Sequence, residues 1–284
     1  MNASGMLEKP SARPALNLAE RIFLRTWCFK PPPVPFEPRD QFDWTRPPPI
    51  DPKPLALVGR VFGDQFEQAL RGKVFVDIGC GYGDQVLGAA RAGCKFAVGV
   101  DRVDVYLRIA TSHAEREELA DRVQFTMDMK AAQGEAWADV ALSQNSFEHF
   151  RRPAEILAQA FEALKPGGRF FITFGPSWWH PFGVHHMFMI RLPCAHYFFS
   201  ERTILRVRQL FRPNAPITWG ETGLNQMTVR KLLALCTASG FELTRIVLTP
   251  IRPLPRWLTR LRPFREWMNS NIAVVLTKPS ESAS

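Results

Sequence analysis

From about residue 55 onward, short uninterrupted apolar runs alternate with amphipathic stretches. Val74, Phe75 and Val76 form one such run, closed by Asp77, as a strand buried on both faces of a parallel sheet requires. Phe96 to Val100, closed by Asp101, is a second, and Val123 to Met127, ended by Asp128, a third. Asp139 to Ser143 and Arg169 to Phe174 continue the series, and Phe241 to Thr249 and Asn271 to Lys278 finish it. Between them the apolar positions recur at helical spacing. Helices are predicted over Leu55–Leu70, from an N-cap at Asp84 to Ala92, over Val105–Leu119, over Pro153–Leu164 and over Met227–Ser239. Proline stands in the first turn of the fourth, Lys165-Pro166-Gly167-Gly168 ends it, and Thr228 and Gly240 bracket the fifth. This alternation predicts an α/β chain with a doubly wound, mostly parallel sheet.

Three stretches fall outside the alternation. Residues 1–54 read as an N-terminal extension: a polar start over 1–14 expected to be disordered, a helix over Leu16–Phe29, and a proline-dense strap. Leu16, Ala19, Ile22, Phe23 and Phe29 define that helix's apolar face, which is expected to pack on the main domain; a lid or a membrane-surface contact is the alternative. Phe36, Phe42 and Trp44 would pin the strap. Residues 175–223 form an aromatic-rich insertion after strand five that holds His180, His185, His186 and His196, four of the six histidines. A substrate pocket is expected there, because it follows a strand's ligand-binding end. Residues 251–269 form a basic crossover, with Arg252, Arg256, Arg260, Arg262 and Arg265 against the single acid Glu266. Tryptophans and leucines interleave with these arginines, a composition suited to an anionic membrane surface, an anionic substrate, or plain solvation of a packed crossover. The main domain spans 55–278, and the 279–284 tail is expected to be disordered.

The chemistry concentrates between Val74 and Asp101. Asp77 precedes Gly79, Cys80, Gly81 and Gly83, and Asp84 follows. Three closely spaced glycines allow positive φ and close approach of a ligand to the backbone. The dinucleotide pattern G-x-G-x-x-G is absent, and two flanking carboxylates would repel a pyrophosphate. They suit a ligand with an adenosine and a cationic end. Asp101, at the end of the next strand and about 20 residues beyond the glycines, is placed to hold a ribose diol.

At these residues the chain resembles the class I S-adenosylmethionine-dependent methyltransferases, in the small-molecule, type 11-like group. The resemblance covers about residues 70–175. It implies a Rossmann-like sheet whose last strand is antiparallel, and S-adenosyl-L-methionine as cofactor. By the match, Asp77, Gly79, Cys80, Gly81, Gly83, Asp101 and its neighbour Arg102 bind the cofactor. Asp128 and Met129 would face the adenine, and Ser143, Gln144 and Asn145 would emerge at the sheet edge before Phe147-Glu148-His149. A base is required only if the nucleophile is a hydroxyl; His149, His185 and His186 are the candidates. The histidines are loosely spaced and no acid stands at zincin spacing, so no metal is expected.

Composition narrows the setting. Five scattered cysteines without C-x-x-C fit a reducing cytoplasm. No apolar run reaches the roughly 18 residues of a membrane span, and the N-terminus lacks a secretion signal. The net charge of +9 suits an anionic partner, a membrane surface included, or nothing beyond solubility. The favoured reading is methyl transfer to a small-molecule or lipid-linked acceptor. An RNA or protein methyltransferase and a non-catalytic cofactor-binding protein are the alternatives. Nucleic acid is disfavoured because no aromatic-plus-basic recognition module is visible. Oligomeric state has no sequence signature.

Overall fold

The computed structural model describes residues 15–31, 49–129, 136–185, 189–213, 215–251, 257, 261 and 264–280. The expectations for residues 1–14, for most of the strap with Phe36, Phe42 and Trp44, for His186, for Arg252, Arg256, Arg260 and Arg262 and for the end of the tail lie outside the described residues. The chain divides into two compact units, one of Met1–Phe42 with His186–Thr222 and one of Asp43–His185 with Gly223–Ser284.

The larger unit holds a seven-stranded sheet. Its strands are β1 (Val74–Ile78), β2 (Phe96–Val100), β3 (Val123–Thr126), β4 (Ala138–Gln144), β5 (Leu164–Phe174), β6 (Glu242–Pro250) and β7 (Asn269–Thr277), in the order β3-β2-β1-β4-β5-β7-β6. The first five run parallel; β7 is antiparallel to both β5 and β6. This is the predicted Rossmann-like sheet with its antiparallel last strand. Crossing helices cover both faces. On one, Val76, Ile78, Phe170, Ile172 and Val274 pack with Leu157 and Ala160 of α6 (Pro153–Ala163) and Leu232 of α9 (Val229–Ala238). On the other, Phe75, Leu142, Phe171 and Val275 pack with Phe62 and Phe66 of α2 (Ala56–Phe62) and α3 (Asp64–Leu70) and Leu87 of α4 (Asp84–Arg91). Phe171 meets Phe62 and Phe66 edge-on at 5.0 and 5.1 Å. Full burial of such side chains contributes about 1.5–3 kcal/mol each, so the sheet interior rather than any loop anchors the fold. The third cover, α5 (Asp104–Arg116), follows β2.

Several boundaries differ from the prediction for local reasons. The helix expected over Leu55–Leu70 is broken at Gly63, whose φ of +67° and ψ of −156° only glycine adopts readily. Gly83, not Asp84, occupies the N-cap of α4, in the left-handed region. The expected turn at Lys165–Gly168 is a register jump within β5: Leu164 pairs with Ala138, and Arg169 then resumes pairing with Val140. β1 runs one residue past Asp77, the residue expected to close it, to Ile78.

The crossover before β7 is fastened by its one acid. The Glu266 carboxylate accepts the Val229 and Arg230 amides at 2.9 and 2.8 Å and the Ser177 hydroxyl. Those amides are two of the four unpaired donors at the start of α9, and a negative charge there also meets the helix dipole. Glu266→Ala should therefore cost about 1–3 kcal/mol in urea unfolding. A loss below about 0.5 kcal/mol would show the cap to be dispensable.

In the smaller unit, Asn17 caps α1 (Leu18–Trp27) in a reciprocal capping box with Glu20. Phe23 and Trp27 pack against Phe199, at ring distances of 4.8 and 5.1 Å, and Trp27 donates to the Pro193 carbonyl. The buried Glu20 pairs with Arg206 of α8 (Glu201–Arg208), beyond the short α7 (Ala195–Phe198). The helix thus makes its core with the insertion, and its buried face carries Glu20 and Phe23 rather than the expected Ala19 and Ile22. Ile22 is exposed.

Candidate active site

Parallel strands bring their C-terminal ends to one edge, and the sequence-predicted cofactor residues gather there. The Gly79 and Cys80 amides donate to the Val100 carbonyl at 2.8 and 3.1 Å, folding the glycine turn back over β2. Gly79, Gly81 and Gly83 all have positive φ, at +82°, +52° and +81°. The first and last are fixed by crowding: an added Cβ would lie 2.6 Å from Ser146 Cβ at Gly79 and 2.7 Å from the Phe125 ring at Gly83. At Gly81 an added Cβ would meet no atom of the described residues within 4 Å, its chain neighbours aside. Asp101 ties this turn to β2, its two oxygens accepting the Gly81 and Val103 amides at 3.0 and 2.9 Å.

Asp77 is buried with Oδ1 lacking a hydrogen-bond partner. Burial, and after it the charge of Asp101, push its pKa up to about 8. The same burial, aided by Asp77 and Asp101, raises the Cys80 thiol far above its usual range and keeps it inert. Ser143 Oγ and Gln144 Oε1 at the end of β4, and Thr173 Oγ1 beside them on β5, are also buried without hydrogen-bond partners. Four orphaned polar atoms along one sheet edge are costly unless a polar ligand satisfies them. They fit the nucleoside and cationic groups of S-adenosylmethionine.

Other predicted residues are placed as follows. Arg102 and Asp128 are exposed at the ends of β2 and β3, and Met129 is buried in the apolar core that holds Val100. Asn145 is exposed, has a φ of +51°, and donates its amide to the Thr173 carbonyl at 2.9 Å. Ser146, which sequence reasoning missed, donates its hydroxyl to the Gly79 carbonyl at 3.0 Å and locks the β4 loop to the glycine turn.

The Asp77 shift has a testable sign. Its folded pKa lies above the ordinary aspartate value, so the native protein holds an extra proton between about pH 4 and pH 8. The stability from that protonation is complete at low pH and is lost as pH rises through about 8. Urea unfolding should show unliganded protein weakening between pH 6 and pH 8.5, with Asp77→Asn flattening the fall. An equal fall in Asp77→Asn would place the titrating group elsewhere.

Beyond β4, a short 3-10 turn (Phe147–His149) carries the second cluster. Asn225 holds it, donating Nδ2 to the Phe147 and Phe150 carbonyls at 2.8 and 2.9 Å and its amide to the Glu148 carbonyl. Glu148 is buried; Oε1 accepts the Gly175 amide and Oε2 has no hydrogen-bond partner. Burial raises its pKa to about 7, opposed by its backbone hydrogen bonds. His149 keeps one side open to solvent, but the protein around it lowers its pKa by desolvation, with the Gly223 hydrogen bond opposing. Nδ1 lies 3.1 Å from the Gly223 carbonyl, an atom that can only accept. Nδ1 therefore carries the proton, and the neutral ring offers its lone pair at Nε2. His185 stands edge-on to His149 with ring centroids 5.3 Å apart. Two of the three predicted base candidates thus come together. Donor atoms of Glu148, His149 and His185 lie within 4.8 Å of one another, a spacing that could also hold a divalent cation, which the sequence spacing did not suggest.

The sequence model of the methyltransferase domain family matches residues 76–172, a segment that includes Asp77, the glycine turn, Asp101, Ser143, Gln144, Glu148 and His149. The ubiquinone biosynthesis O-methyltransferase of Acinetobacter baylyi (strain ATCC 33305 / BD413 / ADP1) is 30% identical over 112 residues, covering 39% of this chain and 47% of that protein. The chain thus spans about half the length of this curated relative. Among solved structures, an S-adenosylmethionine-dependent methyltransferase from Mesorhizobium loti superposes with a TM-score of 0.50 at 17% identity, over 78% of this chain and all of that one. The geranyl diphosphate C-methyltransferase of Streptomyces coelicolor A3(2), solved with Mg2+, geranyl diphosphate and S-adenosyl-L-homocysteine, superposes with a TM-score of 0.51 at 15% identity, over 80% and 82%. At such identities the structural likeness speaks for the fold.

Proposed function

Since residues 76–172 form a class I S-adenosylmethionine-dependent methyltransferase domain, we propose that this chain methylates a hydroxyl group of a small, lipid-linked acceptor. The observation that carries the hydroxyl is His149. Its Nδ1 is committed to Gly223, its Nε2 lone pair is available, and its lowered pKa keeps the ring neutral at pH 7. The 30%-identical relative from Acinetobacter baylyi, named an O-methyltransferase, supports the same atom.

The cofactor supplies a methyl group on a sulfonium, an activated leaving group. The chain's own residues do the rest. Asp101 holds the ribose diol and keeps the glycine turn closed through Gly81. Asp77, ionised by the cationic end of the ligand, anchors that end. His149 Nε2 takes the hydroxyl proton as the oxygen attacks, and the imidazolium is stabilised by the Gly223 carbonyl and the nearby Glu148 carboxylate. Alignment and exclusion of water supply much of the remaining rate.

Support for a lipid-linked acceptor comes from the surface of α1. Leu18 and Ile22 of this helix and Phe29 just beyond it are exposed at 73%, 46% and 54%, with Arg21, Arg25 and Lys30 exposed between and after them. Leu18, Arg21, Ile22 and Arg25 follow a helical face, and the acid of this segment, Glu20, is buried. An apolar stripe edged by cations suits the headgroup layer of an anionic bilayer. Trp257 and Trp267 of the basic crossover are exposed as well. No helix among the described residues is long and apolar enough to cross a membrane, so the contact proposed is peripheral.

Sedimentation with phosphatidylserine-containing vesicles at low salt tests this contact. Binding is expected, and Arg21→Gln with Arg25→Gln should weaken it by about 2 kcal/mol. Absence of pelleting at low salt would favour a soluble acceptor. The methylated atom is tested separately, by incubating lipid extract with labelled cofactor and identifying the product by mass; a methyl group on nitrogen or carbon would contradict the hydroxyl.

A further inference from the structure

We propose that Glu148, His149 and His185 form a binding site for one divalent cation, and that Zn2+ is the ion this donor set takes. The binding claim stands on geometry and ligand chemistry. Only its consequence for turnover rests on the reading of His149 as the base.

The first observation is the grouping itself. One donor atom from each of the three side chains lies within 4.8 Å of the others. Among the described residues no other group of three or more His, Cys, Asp or Glu side chains is so placed. Ligand atoms held about 2.1 Å from zinc in a tetrahedron stand about 3.4 Å apart, so side-chain movements of about 1 Å close the cluster on an ion. His149 is exposed and His185 half-buried, which gives the ion a way in from solvent.

The second observation is Glu148. Its side chain is buried, with a relative exposure of 3%, and Oε2 has no hydrogen-bond partner. Oε1 accepts the Gly175 amide at 3.3 Å, and the Asn225 amide donates to the Glu148 carbonyl at 2.9 Å, so the residue is held from two sides. A buried acceptor left without a donor is costly, and a bound cation satisfies it. The third observation is the orientation of His149. Its Nδ1–H donates to the Gly223 carbonyl at 3.1 Å. Metal-bound histidines commonly make this outer bond to a backbone carbonyl; it fixes the tautomer and leaves the Nε2 lone pair for the ion. The His185 ring stands edge-on at 5.3 Å and offers a second imidazole.

The ligand set names the ion. Two imidazoles and a carboxylate with a fourth position open are a zinc set, whereas Mg2+ and Ca2+ favour shells of oxygen. Zinc at this position takes the lone pair that the acceptor hydroxyl needs. With His149 as the base, bound zinc therefore inhibits methyl transfer.

Calorimetric titration of the full chain, treated with EDTA and then dialysed, with ZnCl2 and separately with MgCl2 tests the site without turnover. One saturable zinc site per chain is expected, with Mg2+ at least about 100-fold weaker. His185→Asn suits the φ of +53° at this position but removes the imidazole. It should weaken zinc binding at least about tenfold, as should Glu148→Gln, which keeps the side chain's shape. Cooperative melting of both variants checks that they fold, and zinc should raise the Tm of wild type but not of His185→Asn. Absence of saturable zinc binding to wild type, or wild-type affinity in both variants, would overturn the proposal. Zinc bound as expected, with transfer of label from the cofactor into lipid extract unchanged, would support the metal site and overturn the base role of His149 instead.

Discussion

Replacing His149 by alanine is expected to lower kcat by roughly 10²–10⁴ with the hydroxyl acceptor, while cofactor affinity stays within about twofold of wild type. The split follows from position. His149 lies beyond β4 and is held by Gly223, whereas the residues proposed to bind the cofactor sit on the glycine turn and the ends of β1 and β2. Glu148→Gln should cost less, because its buried carboxyl orients and charges the cluster without being the proton acceptor in this account. Wild-type kcat/KM should fall as pH drops below the ordinary histidine range, since desolvation lowers the His149 pKa and the protonated ring has no lone pair to offer. Near-normal turnover in both His149→Ala and His185→Ala would mean that the base lies elsewhere or that the reaction needs none.

Asp101→Ala should weaken S-adenosylmethionine binding by about 1–3 kcal/mol, roughly 5- to 150-fold. A charged acceptor is lost from the ribose, and the Gly81 and Val103 amides lose the oxygens that close the turn. The glycines separate binding from folding. Gly81→Val should fold, because its new side chain starts where no atom of the described residues beyond its chain neighbours lies within 4 Å, yet it should block the cofactor and pay the cost of a φ of +52°. Gly79→Ala should instead damage folding, because its Cβ would stand 2.6 Å from Ser146. Urea unfolding paired with calorimetry distinguishes the two; equal losses of stability would contradict the assignment of Gly81 to the ligand face.

The β1-α4-β2 core was legible because each part of it rests on local chemistry. An unbroken apolar run, three glycines and an acid at each strand end need no distant partner to be read. Asp77, Gly79, Gly81, Gly83 and Asp101 accordingly fall together at one sheet edge. The residues that were missed act over long separations. Asn225 reaches back 75 and 78 residues to hold the turn that carries His149. Ser146 reaches 67 residues to the Gly79 carbonyl, and Glu266 reaches 37 residues to the start of α9. A lone serine, asparagine or glutamate carries no pattern that announces such a partner. The face of α1 was misread for a related reason. Glu20 looks like a solvent-facing acid until Arg206, which lies in the insertion, is seen to neutralise it in the core. His149 and His185 could be named as candidates by residue type, but their 5.3 Å approach depends on the loop after β5, whose path no periodicity encodes.

Calorimetric titration of the purified chain with S-adenosylmethionine, S-adenosylhomocysteine and NAD is the most direct test of the central claim. Saturable binding of the two sulfur nucleosides, abolished in Gly81→Val and weakened in Asp101→Ala, with no heat from NAD, is the predicted result. Tight NAD binding with none to S-adenosylmethionine would contradict the account.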